Sequence, residues 1–302
     1  MKIIFKTLLA FSLLLGVACT QNINHRAHLV ETVPLNLPLV EHNDSALSGK
    51  EFIKSVDTAL FVDREAAIAR EILSGNVPDF MRRFRTIEYT VKDGDSIEHR
   101  VRINALPDYL MVGSDSDFVR MPMGPLTAQM IADSLHCTMP TALLVDKIAE
   151  ASEGRIDPFP FRPVGIRNVY AYTFEDSNNA INALFKAKGY EFGQMVSGLK
   201  KDVILTAKIA GDTTRRNHVT IYGWHYPDGT RIQRSNNIHV NFYVDYSHGI
   251  RLLDRTAYVD GDSVDIPTAL TDSQMFRLFS DEETPMKKAT YAGDVLHEGL
   301  QW

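Results

Sequence analysis

The sequence predicts an α+β fold, in which a helical N-terminal part packs with antiparallel hairpins and a β-meander, and a helix closes the chain. Helix-capping patterns lie before residue 80 and again between 125 and 141. Alternating apolar and polar residues flank short turn sequences, which is typical of hairpins. Helices and hairpins follow one another without the regular strand–helix alternation of a doubly wound sheet.

Capping residues and prolines locate the helices. Ser48 and Glu51 form a capping-box pattern at the start of the first helix. A second helix is predicted from 63 to 73, ended by Gly75 and Pro78. Three more are predicted over 125–136, after Thr141 as N-cap, and over 176–188.

Alternating segments predict the strands. Residues 87–91 and 99–103 surround the turn K-D-G-D-S, and 109–113 and 118–123 surround S-D-S-D. Further strands are expected over 201–209 and 251–266. Thr271, with Gln274 three residues later, is predicted to open the closing helix.

The N-terminus resembles an export signal. Residues 1–18 combine lysines with a short apolar stretch, and Gly16-Val17-Ala18-Cys19 resembles the lipobox of bacterial lipoproteins. The resemblance implies that Cys19 carries lipid and anchors an exported protein to a membrane at the cell envelope. We expect a tether over 19–47 and a single domain over 48–302, with a possible subdivision at the proline-rich stretch 154–165.

Composition restricts the class of partner. The formal net charge is −6 and the isoelectric point is about 5.9, which argues against a nucleic-acid-binding protein. The sequence contains no H-E-x-x-H or C-x-x-C motif, so we expect no metal and no cofactor. With Cys19 lipidated, Cys137 is the remaining cysteine and has no disulfide partner.

Four of the ten histidines lie between His218 and His248, and this run is the candidate site. As a single strand, residues 238–246 would place a polar face of His239, Asn241, Tyr243 and Asp245 opposite an apolar face. On such a strand His239 and Asp245 would lie roughly 20 Å apart. Two clusters therefore stay open, and the second is favoured: His225 with His239, or His218 with Asp245 and His248.

The favoured cluster predicts acid–base chemistry. Asp245 would hold the imidazole of His248 in one tautomer, and His248 would move a proton. Arg251 would stabilise developing negative charge. The remaining candidates are His225 and His239 for catalysis, and Tyr222, Trp224, Tyr243 and Asn241 for substrate binding, with Tyr222 and Trp224 stacking on a sugar ring.

The segment Ser247-His248-Gly249-Ile250-Arg251-Leu252 resembles the S-H-G-C-I-R-L signature of L,D-transpeptidases. Ile221-Tyr222-Gly223-Trp224-His225 is similar to the I-H-G segment that precedes that signature. The nucleophilic cysteine of the family has no counterpart between Gly249 and Ile250. The same segments, with G-L-K-K-D-V, resemble a family of exported bacterial lipoproteins of uncharacterised activity, which implies a location and no reaction.

Three functions follow as hypotheses. The first is an exported cell-envelope hydrolase or lyase that acts on glycan or peptidoglycan through a His/Asp pair. The second is an envelope lipoprotein that binds a glycan or a partner without catalysis. The third is an L,D-transpeptidase-like domain without its nucleophile. Cys137 follows a helix instead of beginning one, so it does not match the cysteine of papain-like or NlpC/P60-like hydrolases.

Overall fold

A computed structural model describes residues 26–160, 167–211 and 217–292 and confirms the α+β class. No helix within these ranges has the length and apolar character needed to cross a membrane. One buried apolar cluster extends from Ala27 to Tyr291. The helices are α1 (Gly49–Val56), α2 (Phe61–Leu73), α3 (Pro125–Ser134), α4 (Ala142–Ala151), α5 (Ala171–Lys188), α6 (Lys208–Gly211) and α7 (Ile266–Thr271).

The strands form one large sheet, one four-stranded sheet and two strand pairs. They are β1 (His28–Val30), β2 (Arg85–Lys92), β3 (Glu98–Ala105), β4 (Met111–Gly113), β5 (Phe118–Arg120), β6 (Cys137–Thr138), β7 (Gly154–Arg155), β8 (Val196–Ser197), β9 (Lys201–Val203), β10 (Ile221–His225), β11 (Arg231–Asn236), β12 (His248–Gly249), β13 (Leu253–Asp254), β14 (Thr256–Val259) and β15 (Asp262–Asp265).

The large sheet has the order β1-β2-β3-β13-β6, with β14 and β15 attached to β3. The predicted hairpin of β2 and β3 is confirmed, with antiparallel register from Arg85 opposite Ala105 to Lys92 opposite Glu98. The pair β4–β5 is the second predicted hairpin. Alternation explains the burial, because Ile87 and Tyr89 are fully buried on one face of β2.

The four-stranded sheet, ordered β11-β10-β9-β12, contains two segments of the histidine-rich run and its last residue, His248. Its centre is β9, which pairs antiparallel with β10 and parallel with β12. This register places Lys201 beside Gly223 on one side and His248 on the other. The Tyr226–Gly229 turn joins β10 to β11, as its proline and glycine predict.

Local capping signals located several helices correctly. Ser48 and Glu51 form the expected capping box of α1. Thr141 caps α4 through a hydrogen bond from the Leu144 amide. The predicted strand over 201–209 is shorter than expected, because β9 ends at Val203 and α6 follows at Lys208.

Two predicted elements are wrong. Residues 238–246 do not form a strand: Val240 makes one isolated bridge to His218, and the chain then turns at Asn241. Thr271 ends helix α7 instead of opening one. The helix begins after Asp265, whose carboxylate accepts the Thr268 amide, while Asp272 accepts the amides of Gln274 and Met275. Aspartate therefore supplies the local caps that the sequence pattern assigned to Thr271.

Two parts of the predicted tether pack against the domain. His28–Val30 pairs antiparallel with β2, and Ala27 and Leu37 are buried in the core. Residues 31–36 between them are exposed. The signal peptide over 1–18, Cys19, and residues 161–166 of the proline-rich stretch lie outside the described residues.

A buried arginine joins β5 to α5. The Arg120 guanidinium is fully buried, and its Nη2 lies 2.7 Å from Asp108 Oδ2. Its Nη1 donates to the side-chain oxygens of Asn178, at 2.9 Å, and Asn182, at 2.7 Å. The guanidinium thus compensates the buried Asp108 carboxylate, which has lost its hydration.

We predict that Arg120→Met lowers the free energy of unfolding by about 3–5 kcal/mol, because Asp108 is left buried without a counter-charge. Arg102→Met is the matched control, since Arg102 pairs with Glu88 at 2.6 Å but its side chain is 43% exposed. The control should lose at most about 1 kcal/mol. Urea unfolding of both variants measures the difference, and equal losses would contradict this role of Arg120.

Candidate functional site

His225, at the end of β10, forms a hydrogen-bonded pair with a carboxylate from helix α4. Its Nε2 lies 2.8 Å from Asp146 Oδ1. An ionised carboxylate only accepts hydrogen bonds, so the ring carries its proton on Nε2 and its lone pair on Nδ1. Within the described part of the chain, Nδ1 has no hydrogen-bond partner. We refer to His225 and Asp146 as the dyad.

The backbone just before His225 is bent into the left-handed region. Gly223 has φ +93° and Trp224 has φ +56°. A bulky residue in this region costs of order 1–3 kcal/mol, and such residues concentrate at functional sites. The Trp224 indole compensates by being buried and by donating from Nε1 to Gly198 O at 2.9 Å. The bend therefore lies within β10 and sets the orientation of its last residue, His225.

Two further side chains hold the Asp146 carboxylate. The Tyr222 hydroxyl lies 2.9 Å from each of its oxygens and donates to it. Arg231 Nη1, on the facing strand β11, lies 3.3 Å from Oδ2. Burial, and secondly the Asp146 charge, raise the pKa of Tyr222, so its hydroxyl stays protonated as a donor. The carboxylate is thus fixed from three directions.

The dyad opens into a cavity of about 250 Å³, lined by Asp146 and His225 together with Glu150, Arg155 and Ser197. A neighbouring cavity of about 750 Å³ includes Tyr222. Asp228, Gly229 and Arg231 line both cavities, so the β10–β11 turn lies between them. We call them the smaller and the larger cavity. A ligand bound across this turn would contact both cavities and the dyad.

The turn at Asn241 builds a second polar cluster around β12. The rings of His239 and Tyr243 stack at 4.4 Å with an interplanar angle of 15°. The His248 ring lies 6.4 Å from His239 and 6.2 Å from Tyr243. The extended geometry assumed for residues 238–246 is therefore wrong, because the chain turns at Asn241 and brings His239 to His248.

The predicted pair of His248 and Asp245 makes no hydrogen bond. His248 Nε2 is 3.9 Å from Asp245 Oδ1, and that oxygen accepts the amide and hydroxyl of Ser247 instead. His248 is 1% exposed, and neither ring nitrogen has a partner among the described residues. Burial lowers the pKa of His248 to about 4, so the ring is neutral at neutral pH. It lines neither cavity.

Two other predicted roles are corrected by burial. The Arg251 guanidinium donates to the backbone oxygens of Leu106, Pro107 and Val196, so it joins strand β8 to the segment after β3. Trp224 is 4% exposed and presents no face on which a sugar ring could stack.

Of the other predicted binding residues, Asn241 is buried in its turn. Tyr243 is half-buried, and its hydroxyl accepts from Asn168 Nδ2. Tyr222 lines the larger cavity but serves chiefly as the donor to Asp146. The predicted pairing of His225 with His239 is replaced by two separate contacts, His225 with Asp146 and His239 with Tyr243.

Sequence reasoning missed Asp146, the residue that completes the dyad. It lies 79 positions before His225, in the helix segment A-L-L-V-D-K-I. The sequence offered only a weak signal for this residue. Asp146 is a carboxylate between the buried Val145 and Ile148, on the less apolar side of an amphipathic helix.

Cys137 is a buried thiol at the large sheet, beside Asp254 on β13. Burial, and secondly the Asp254 charge, raise its pKa to about 12, which leaves it protonated and unreactive. Within the described ranges, no group of three or more His, Cys, Asp or Glu side chains is arranged to hold a metal ion.

No protein-family model, no curated protein and no solved structure matches this chain.

We predict that His248 makes stability fall at acidic pH. Its pKa is about 4 in the fold against 6.5 ordinarily, so the unfolded chain binds the extra proton between these values. The free energy of unfolding should therefore fall as pH drops from about 6.5 to about 4, by on the order of 2–3 kcal/mol. Urea unfolding at pH 7 and pH 5 measures it. The loss of unfolding free energy between pH 7 and pH 5 should be smaller in His248→Asn. An unchanged loss would contradict the assignment of this pH dependence to His248.

Proposed function

We propose that this protein is a cell-envelope hydrolase or lyase that acts on glycan or peptidoglycan, with His225 as its general base or acid. The observation that supports it is the dyad, a hydrogen-bonded His–Asp pair in an open cavity, directed by a strained backbone. The reaction type is that of the sequence prediction, whereas the carboxylate is Asp146 and the histidine is His225.

Each neighbour of the dyad has a separate task in this mechanism. Asp146 keeps the proton on Nε2, so Nδ1 accepts a proton from water or from the substrate and later returns it. Tyr222 holds the carboxylate in place. Arg231 lines both cavities and is the cation nearest the dyad, so it stabilises negative charge that develops on the substrate.

Two observations favour this function over the other hypotheses. A glycan-binding protein without catalysis was motivated by stacking on Trp224, which is buried under its own fold. A transpeptidase-like domain without its nucleophile would place the bend at His248 in a groove, whereas His248 is buried and lines neither cavity. Neither hypothesis accounts for the strained bend before His225.

The proposed location rests on the leader sequence. Export and a lipid anchor at Cys19 would bring the cavities to glycan or peptidoglycan at the envelope. The net charge of −6 makes nucleic acid an unsuitable partner. Acid–base chemistry by the dyad needs no cofactor.

We predict that His225→Asn and Asp146→Asn each lower turnover by about 10²–10⁴-fold, because one removes the proton carrier and the other its orientation. The substrates are purified peptidoglycan sacculi and a panel of polysaccharides, with soluble products measured by chromatography and mass spectrometry. Tyr222→Phe should have a smaller effect of about tenfold, since Asp146 keeps its contacts with His225 and Arg231.

His99→Asn is the matched control. His99 makes a comparable pair with Asp260, at 2.8 Å, but lies outside both cavities. It should keep full turnover, and so should His248→Asn at neutral pH. The proposal is wrong if the dyad variants retain turnover, or if His248→Asn alone abolishes it while the protein stays folded.

A further inference from the structure

The larger cavity carries five charged side chains, and three of them have partners within the protein. Arg231 pairs with Asp146. Asp228 accepts the amide and hydroxyl of Thr230. Glu282 accepts the Thr206 hydroxyl at 2.5 Å and the Ala207 amide at 2.8 Å. Asp228 and Glu282 are therefore satisfied without a ligand, and Arg231 is already part of the surroundings of the dyad. The other two are Arg234 and Asp281.

Arg234 and Asp281 make no side-chain hydrogen bond or ion pair within the described ranges, although their charges are opposite. Both side chains are exposed, so Arg234 offers a fork of N–H donors and Asp281 offers an acceptor to a ligand in this cavity. A ligand that fits both must present an anionic group to Arg234 and a cationic group to Asp281.

The strand geometry directs Arg234 into the cavity. Ile221 pairs with Asn236 and Gly223 with Gln233, so two residues of β11, Arg234 and Ser235, oppose Tyr222 alone. This irregularity lets Arg231 and Arg234 line the same cavity, which strict alternation over three positions would prevent. Bulges commonly redirect side chains beside functional sites.

Asp281 lines the larger cavity together with Tyr222, whose hydroxyl bonds the Asp146 carboxylate. Burial chiefly, and in small part the Asp281 charge, raise the pKa of that hydroxyl. A cationic group bound by Asp281 would therefore share the cavity with the tyrosine that bonds the dyad.

We infer that the larger cavity binds a short peptide that carries a free carboxylate, held by Arg234, and a free ammonium group, held by Asp281. A polyanionic glycan would meet three carboxylates in this cavity, and a polycation would meet two guanidinium groups, so each is disfavoured. The inference rests on the proposed function in one respect: the peptide belongs to the substrate on which His225 acts, which selects the peptide part of peptidoglycan.

Calorimetric titration of the full chain tests this binding. The probe is N-acetyl-Ala-Ala-Lys, which has one carboxylate and one ammonium group. Its C-terminal amide lacks the carboxylate, and its Nε-acetyl derivative lacks the ammonium group. Each derivative should bind about tenfold more weakly or worse, because a charge-assisted contact is lost. Chitotriose serves as the neutral glycan probe and should bind more weakly than the peptide.

Matched variants assign each group. Arg234→Gln should abolish the preference for the carboxylate over the amide but keep the preference for the ammonium group, and Asp281→Asn should do the reverse. Arg277→Gln and Asp262→Asn, exposed positions outside both cavities, should keep both preferences. Undetectable peptide binding, equal binding of all three peptides, or tighter binding of chitotriose would overturn the inference.

His225→Asn separates this inference from the proposed function. If the variant keeps both preferences and no substrate of the panel is turned over by the unaltered protein, the peptide site stands and the catalytic proposal falls. If turnover depends on His225 while the three peptides bind equally, the catalytic proposal stands and the peptide site falls.

Discussion

The bend at Gly223 and Trp224 is the constraint on which the rest of the candidate site depends. It lies within β10, directly before His225, the last residue of that strand, whose ring meets Asp146. The indole of Trp224 is fixed through Gly198, where an added Cβ would lie 1.9 Å from Ile156 O and 2.9 Å from His225 O. Close backbone packing of this kind keeps a strained conformation populated.

Buried charges hold the strands on either side of that bend. Lys200 donates to Tyr246 O at 2.5 Å, and burial lowers its pKa to about 7. Asp202 accepts the Tyr109 hydroxyl at 2.9 Å, and burial raises its pKa to about 6. Both shifts favour the neutral forms of Lys200 and Asp202. The free-energy cost of burying these two groups beside β9 is therefore lower than for fully charged groups.

Capping and turn patterns within a few residues predicted much of the fold. Contacts between residues far apart in the sequence could not be predicted from such patterns. Ser48 and Thr141 cap helices through bonds to residues three positions away, which a sequence pattern can show. The turn at Asn241 depends on its amide bonding Asn217 O, a contact that alternation alone does not reveal. The sequence directed attention to His225, but its pairing with Asp146 required the packing of α4 against β10.

The tautomer of His225 is the most direct test of the central claim, that Asp146 leaves Nδ1 free to move a proton. Nitrogen-15 NMR of the imidazole at neutral pH reports which ring nitrogen bears the hydrogen. The expected spectrum has a protonated Nε2 and an unprotonated Nδ1, and Asp146→Asn should abolish this preference. A proton resident on Nδ1, or a spectrum unchanged in Asp146→Asn, would contradict the claim.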